Sequence, residues 1–135
     1  MIPLRTAAVT AAAVAGLAAV TAAPAQARPP TDLPPTVLVL SVSRNHAPVP
    51  RTVLLTCSPI AAGNHPQSAA ACDELEAAGG NFADLRGEAM RFCPMIYDPV
   101  TLSAEGIWHG TRVSFRQTYS NACRAGDRSS HVFAF

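Results

Sequence analysis

Thr36-Val37-Leu38-Val39-Leu40-Ser41-Val42-Ser43 is the stretch that sets the fold class. Apart from Ser41 and Ser43 its residues are β-branched or leucine, apolar on both faces through Leu40 and alternating afterwards. That pattern reads as a strand buried on both sides at its start. Asn45-His46-Ala47-Pro48 follows as a turn, and Arg51 to Cys57 (RTVLLTC) reads as a second strand. Strands this close in sequence favour an antiparallel pair. Further out, Val100 to Ser103 can pair, while Pro99 argues against a regular central strand running through it. Ala104-Glu105-Gly106 reads as a hairpin turn into Ile107-Trp108. Arg112 to Tyr119 alternates, with Val113, Phe115 and Tyr119 on one face and Gln117 interrupting it. His131 to Phe135 (HVFAF) closes the chain as a further strand with Phe133 and Phe135 facing in.

Ser58 to Gln67 carries Pro and Gly and reads as a loop. Ser68 to Ala78 has helical character, with Ser68 as N-cap, Cys72 and Leu75 on one face, and Gly79-Gly80 as the stop. Asp73, Glu74 and Glu76 on that helix read as a solvated face. Asn81 to Arg86 reads as a second short helical piece. The order is strand-heavy with one clear helix, which predicts an α+β domain on an antiparallel sheet.

The 135 residues are 49% hydrophobic and 14% charged with a formal charge of +1, but the two ends of the chain differ. Residues 1–27 hold 12 of the 26 alanines and a single charge, Arg5. Ala7 to Val20 is apolar apart from Thr10 and Gly16, and Ala25-Gln26-Ala27 offers small residues where a signal peptidase reads. Residues 1–27 are therefore expected to be a secretory signal peptide, cleaved after Ala25 or Ala27. The apolar run is too short for a comfortable membrane span. Residues 28–135 form the expected mature domain, with 28–35 a loose Pro-rich arm. Beyond the leader, nine arginines balance nine carboxylates and lysine is absent. A basic nucleic-acid binder and a disordered acidic tail are both excluded on that balance, and no membrane association is expected after cleavage.

Export decides how Cys57, Cys72, Cys93 and Cys123 are read. Four cysteines in an oxidising compartment predict two disulfides. Their separations of 15, 21 and 30 residues contain no close pair of the kind zinc sites use. No metal or cofactor is expected, and spacing leaves all three pairings open.

Catalytic patterns are thin. His46, His65, His109 and His131 are scattered and read as ordinary surface or turn residues. No H-E-x-x-H, G-x-S-x-G or phosphate-cradling glycine loop occurs. A small secreted hydrolase and an exported structural or adhesion module remain the alternatives from other classes.

Phe92-Cys93-Pro94-Met95-Ile96-Tyr97-Asp98-Pro99 carries the most information. A cysteine expected to be bridged is followed by proline, large apolar residues and a second proline. Pro94 fixes its own φ and keeps Cys93 extended. One reading is a rigid loop offering Met95 to a partner. The other makes Met95, Ile96 and Tyr97 core residues of a strand end.

The chain resembles the Streptomyces subtilisin inhibitor family of secreted serine-protease inhibitors. The resemblance rests on LVLSV at Leu38–Val42, Thr56-Cys57, GNHP at Gly63–Pro66, Ala71-Cys72, AAGG at Ala77–Gly80 and RGE at Arg86–Glu88. It continues with CPMIYDPV at Cys93–Val100, GIWHG at Gly106–Gly110, SNAC at Ser120–Cys123 and VFAF at Val132–Phe135. It implies Cys57–Cys72 and Cys93–Cys123 pairing, a five-stranded antiparallel sheet with two short helices, and a homodimer. It further implies a reactive-site loop with scissile bond Met95–Ile96, in which Phe92, Cys93, Pro94 and Tyr97 contact the protease. Asn121 would brace that loop. An apolar Met95 in place of Lys or Arg implies subtilisin-like targets over trypsin.

Overall fold

The computed structural model describes residues 34–88 and 92–135. The expected leader and most of the Pro-rich arm, residues 28–33, lie outside the described residues. The elements are β1 (Thr36–Arg44), β2 (Arg51–Ser58), β3 (Ala62–Gly63), α1 (Ser68–Ala77), β4 (Val100–Trp108), β5 (Thr111–Tyr119) and α2 (Ala122–Gly126), with a 3-10 turn at Phe82–Asp84. The five strands form one antiparallel sheet in the order β3-β2-β1-β4-β5. The expected α+β class, strand count and two helices are therefore observed.

One face of the sheet carries the core. Leu38, Leu40, Leu55 and Ala104 pack with Ala71, Cys72 and Leu75 of α1, with Phe82 and Leu85, and with Val132 near the C-terminus. Cys57–Cys72 fastens α1 to β2, as the resemblance implied. β1 alternates along its whole length: Leu38 and Leu40 are fully buried, whereas Val37 and Val39 are 42% and 44% exposed. The expectation of burial on both faces fails because helices cover only one side of the sheet.

Two expected elements change character. β4 runs unbroken through Ala104-Glu105-Gly106, so no hairpin turn lies there. Gly106 instead permits close approach, since a Cβ would stand 2.1 Å from the Val37 carbonyl oxygen. The turn lies at His109-Gly110, where both φ angles are positive, as a two-residue hairpin loop of the primed type requires. Pro35, at the end of the arm, accepts a hydrogen bond from Gly110 N–H.

The expected strand His131–Phe135 is absent; the segment is a turn with Val132 fully buried. Its backbone is satisfied by side chains. The N–H groups of Ser130, His131 and Val132 donate to the Glu74 carboxylate at 3.0, 2.7 and 3.2 Å. Glu74 thus leaves the solvated face assigned to it. Its carboxylate takes the place of a strand partner, in charge-assisted hydrogen bonds stronger than neutral ones.

The expected helix boundaries hold to within a residue, with Gly79-Gly80 as the stop. Gln67 occupies the N-cap position in place of Ser68, and no side chain caps that end. The piece expected at Asn81–Arg86 is the 3-10 turn, capped by Asn81. The expected loop Ser58–Gln67 contains the edge strand β3.

Candidate functional site

Cys93 to Pro99 has no regular secondary structure and leads directly into β4. Phe92, Met95 and Tyr97 are 101%, 97% and 81% exposed, and Ile96 is 62% exposed. Four large apolar side chains within six residues stand in solvent. The core-strand reading of this segment is excluded; the presented-loop geometry is the one observed.

Exposure alone would suggest a loose loop, but the backbone is held from behind at several points. Cys93 is bridged to Cys123 of α2, with a Cα–Cα distance of 5.6 Å. Asp98 N–H donates to the Ser120 carbonyl at 2.8 Å. Between them, Asn121 Nδ2 donates to the carbonyls of Pro94 at 3.0 Å and Ile96 at 2.8 Å. Among the described residues, the N–H groups of Met95, Ile96 and Tyr97 find no internal partner, so the outer backbone edge is open to another chain.

Asn121 is buried, and both ends of its carboxamide are used. Oδ1 accepts from Arg124 N–H at 2.9 Å and caps α2, while Nδ2 faces the loop. An asparagine amide offers one acceptor and two donors, so one side chain can start a helix and hold two carbonyls. α2 is five residues long and could not stand alone. The cap and the disulfide explain its presence, and through it the loop is coupled to the core. In the sequence, the family resemblance marks Asn121, while no local pattern places an element at 120–126. The Ser-Asn pair before Ala122 offers an N-cap signal only.

Other groups touch the loop base. His46 Nε2 lies 3.6 Å from Asp98 Oδ1. Tyr119, beside Val100 at the end of β5, has its phenol pushed above the ordinary value by burial, against a smaller lowering by Arg128. Cys93, Cys123 and Asp127 cluster within reach of one another, but the two sulfurs are bonded together and offer no thiolate to a metal.

The histidines are not uniformly surface residues. His65 is buried; Nδ1 accepts from Gln67 N–H and Nε2 donates to the Val132 carbonyl, both at 3.0 Å. Both nitrogens are committed to backbone groups, which leaves neither free to act as a base. His109 meets Glu76 at 2.7 Å and joins the β4–β5 turn to α1.

A protruding, pre-shaped apolar loop is suited to entering a partner's cleft rather than enclosing a substrate. Residues 34–121 match the subtilisin inhibitor-like family. Subtilisin inhibitor-like protein 5 of Streptomyces fradiae is 43% identical over 100 residues, covering 74% of this chain and 92% of the relative. The subtilisin inhibitor of Streptomyces albogriseolus is 46% identical over 95 residues, covering 70% and 65% respectively. Streptomyces caespitosus sermetstatin, solved in complex with Bacillus licheniformis subtilisin, superposes with a TM-score of 0.64 at 36% identity, covering 75% of this chain and 99% of that one. The chain belongs to the subtilisin inhibitor-like family.

Proposed function

We propose that this protein is a secreted inhibitor of subtilisin-type serine proteases and not an enzyme, with Met95–Ile96 as its reactive-site bond. The observation that carries the reading is a fully exposed Met95 on a backbone that Asn121 grips on both sides of that bond. Met95 is unbranched and apolar and fills a shallow apolar primary pocket. Phe92 enters a second apolar pocket, and Ile96 and Tyr97 lie on the leaving-group side. The open N–H edge adds to a protease strand as a substrate would.

Hydrolysis stalls because the chain ends cannot separate. After attack at the Met95 carbonyl, the Pro94 side stays tied through Cys93–Cys123 and Asn121, and the Ile96 side through Asn121 and Asp98. The new amine stays beside the acyl group and re-forms the peptide bond. Ordering the loop before binding removes an entropic cost that a flexible substrate would carry.

Secretion is supported by the leader pattern and by the two disulfides. No helix among the described residues is long and apolar enough to cross a membrane. A homodimer is supported by the uncovered sheet face, where Val39 pairs with Leu54 and Val37 with Ile107, all four exposed. A row of this kind is a self-association surface of the sort isologous dimers use. Sedimentation equilibrium tests it: Val39→Lys should shift the mass from dimer to monomer, and a wild-type monomer at micromolar concentration overturns it.

Titration of subtilisin with the purified protein tests the main reading. Activity should fall linearly to an endpoint near one protease per chain. Undiminished activity at micromolar inhibitor refutes it.

A further inference from the structure

The strip Phe92–Tyr97 is too narrow to fill a protease interface. Six extended residues span about 20 Å, whereas a standard interface covers about 800 Å² on each partner, a disc roughly 16 Å in radius. Other parts of the chain must lie under the protease, and the topology indicates which. β1 and β4 are hydrogen-bonded neighbours whose final ladder pair is Arg44↔Val100. The loop enters the sheet and the β1–β2 turn leaves it at that same end. His46 lies two residues beyond Arg44 and Asp98 two residues before Val100, and their side chains meet at 3.6 Å. Asp98 is itself pinned to Ser120. The turn is therefore set against the third residue after the scissile bond.

The turn is built to hold a shape. Ala47 N–H donates to the Arg44 carbonyl at 3.1 Å, and Pro48 and Pro50 flank Val49. All residues from Arg44 to Pro50 are exposed, and Val49 is 71% exposed. A β-branched apolar residue between two prolines carries little conformational freedom to lose on binding. In sequence, Arg44, His46 and Arg51 flank it with no acid between 44 and 51, the nearby Asp98 being taken up by His46.

We infer that the β1–β2 turn, Arg44–Pro50, is a second protease-contact segment on the leaving-group side of the reactive bond. Val49 is its apolar anchor, and its basic rim suits proteases whose cleft is bordered there by carboxylates. His46 is a positioning residue that registers the turn against Asp98. The inference rests on the reading of Met95–Ile96 as the reactive-site bond and extends it from the loop to the set of proteases bound tightly.

Val49→Asp and Ile60→Asp separate this contact from a general effect of adding charge. Ile60 is 70% exposed and follows β2 at the opposite end of the sheet. In the full mature chain, Val49→Asp should raise Ki for subtilisin at least tenfold, with Ile60→Asp and the melting temperatures unchanged. Val49→p-benzoylphenylalanine should photo-crosslink to subtilisin, and Ile60→p-benzoylphenylalanine should not. A wild-type Ki for Val49→Asp, or no crosslink from position 49 in an inhibited complex, overturns the inference and leaves the loop reading intact. Absence of inhibition by the wild-type chain overturns both.

Discussion

Asn121 donates a hydrogen bond to the carbonyl of Ile96 at 2.8 Å from the same Nδ2 that holds Pro94. One buried side chain thus spans Met95–Ile96 from behind, while its oxygen caps α2. On the proposed function, stability and inhibition meet in this residue, and two substitutions probe them. Asn121→Asp keeps the cap acceptor and loses both donors to the loop. It should raise the rate of Met95–Ile96 hydrolysis at least about tenfold, followed by mass spectrometry, and lower Tm, because a buried carboxylate oxygen then faces two carbonyl oxygens. Asn121→Ala should match that effect and also lose about 1 kcal/mol of stability with the cap. Equal resistance to cleavage in all three proteins would remove Asn121 from the mechanism.

Met95 should set specificity. Its side chain has no fixed neighbours to disturb, so substitution leaves the fold alone. Met95→Lys should add inhibition of trypsin and weaken that of subtilisin by about tenfold or more, a change of about 1.4 kcal/mol. Parallel inhibition assays check this, and an unaltered profile would place the primary contact elsewhere.

The Cys93–Cys123 bridge should matter more for inhibition than a stability figure conveys. Closing a loop of this length contributes about 2–4 kcal/mol in typical proteins. The paired substitution Cys93→Ser with Cys123→Ser should lower Tm and turn the protein into a cleavable substrate. Retained tight inhibition by a folded double variant would show that the hydrogen bonds suffice.

Glu74 should hold the C-terminal segment. Its side chain is largely buried and takes three backbone N–H groups. Glu74→Ala leaves those donors without their acceptor, at about 1.5–3 kcal/mol for hydrogen bonds to a charged group. Tm should fall by on the order of 10 °C, and amide exchange at 130–132 should speed up. Unchanged exchange there would refute the clamp.

Tyr119 should impose an alkaline limit on stability. Burial raises its phenol pKa in the folded protein, so the native state favours the neutral form. That contribution is fully present below the unfolded value of about 10 and is lost as pH rises through the folded one. The chain has no lysine and no free cysteine, which keeps other titrations at high pH few. Denaturant unfolding should show stability declining above about pH 10 in the wild type, with a shallower decline in Tyr119→Phe. Identical slopes would contradict it.

The misread elements share a physical cause. Gly106 looks like a turn glycine in isolation, but it sits mid-strand because the Val37 carbonyl passes too close for a Cβ. HVFAF alternates like a strand, yet Glu74, 56 residues or more away in sequence, takes its amide hydrogens. Val37 and Val39 look buried because β-branched residues favour strands on either face, and no local pattern records that helices cover only one.

Local chemistry determined the α+β class, the strands of the first hairpin, the α1 stop, the even number of bridged cysteines and the Pro-restricted stretch around Met95. Each follows from residues near one another in the chain, except the cysteine reading, which follows from their number and the export leader. Tertiary structure decided that Met95 faces solvent rather than core, that Asn121 braces both sides of one bond, and that the β1–β2 turn stands beside the loop. Those facts depend on which distant backbone groups lack partners and which side chains reach them, and folding alone brings such groups within hydrogen-bond range.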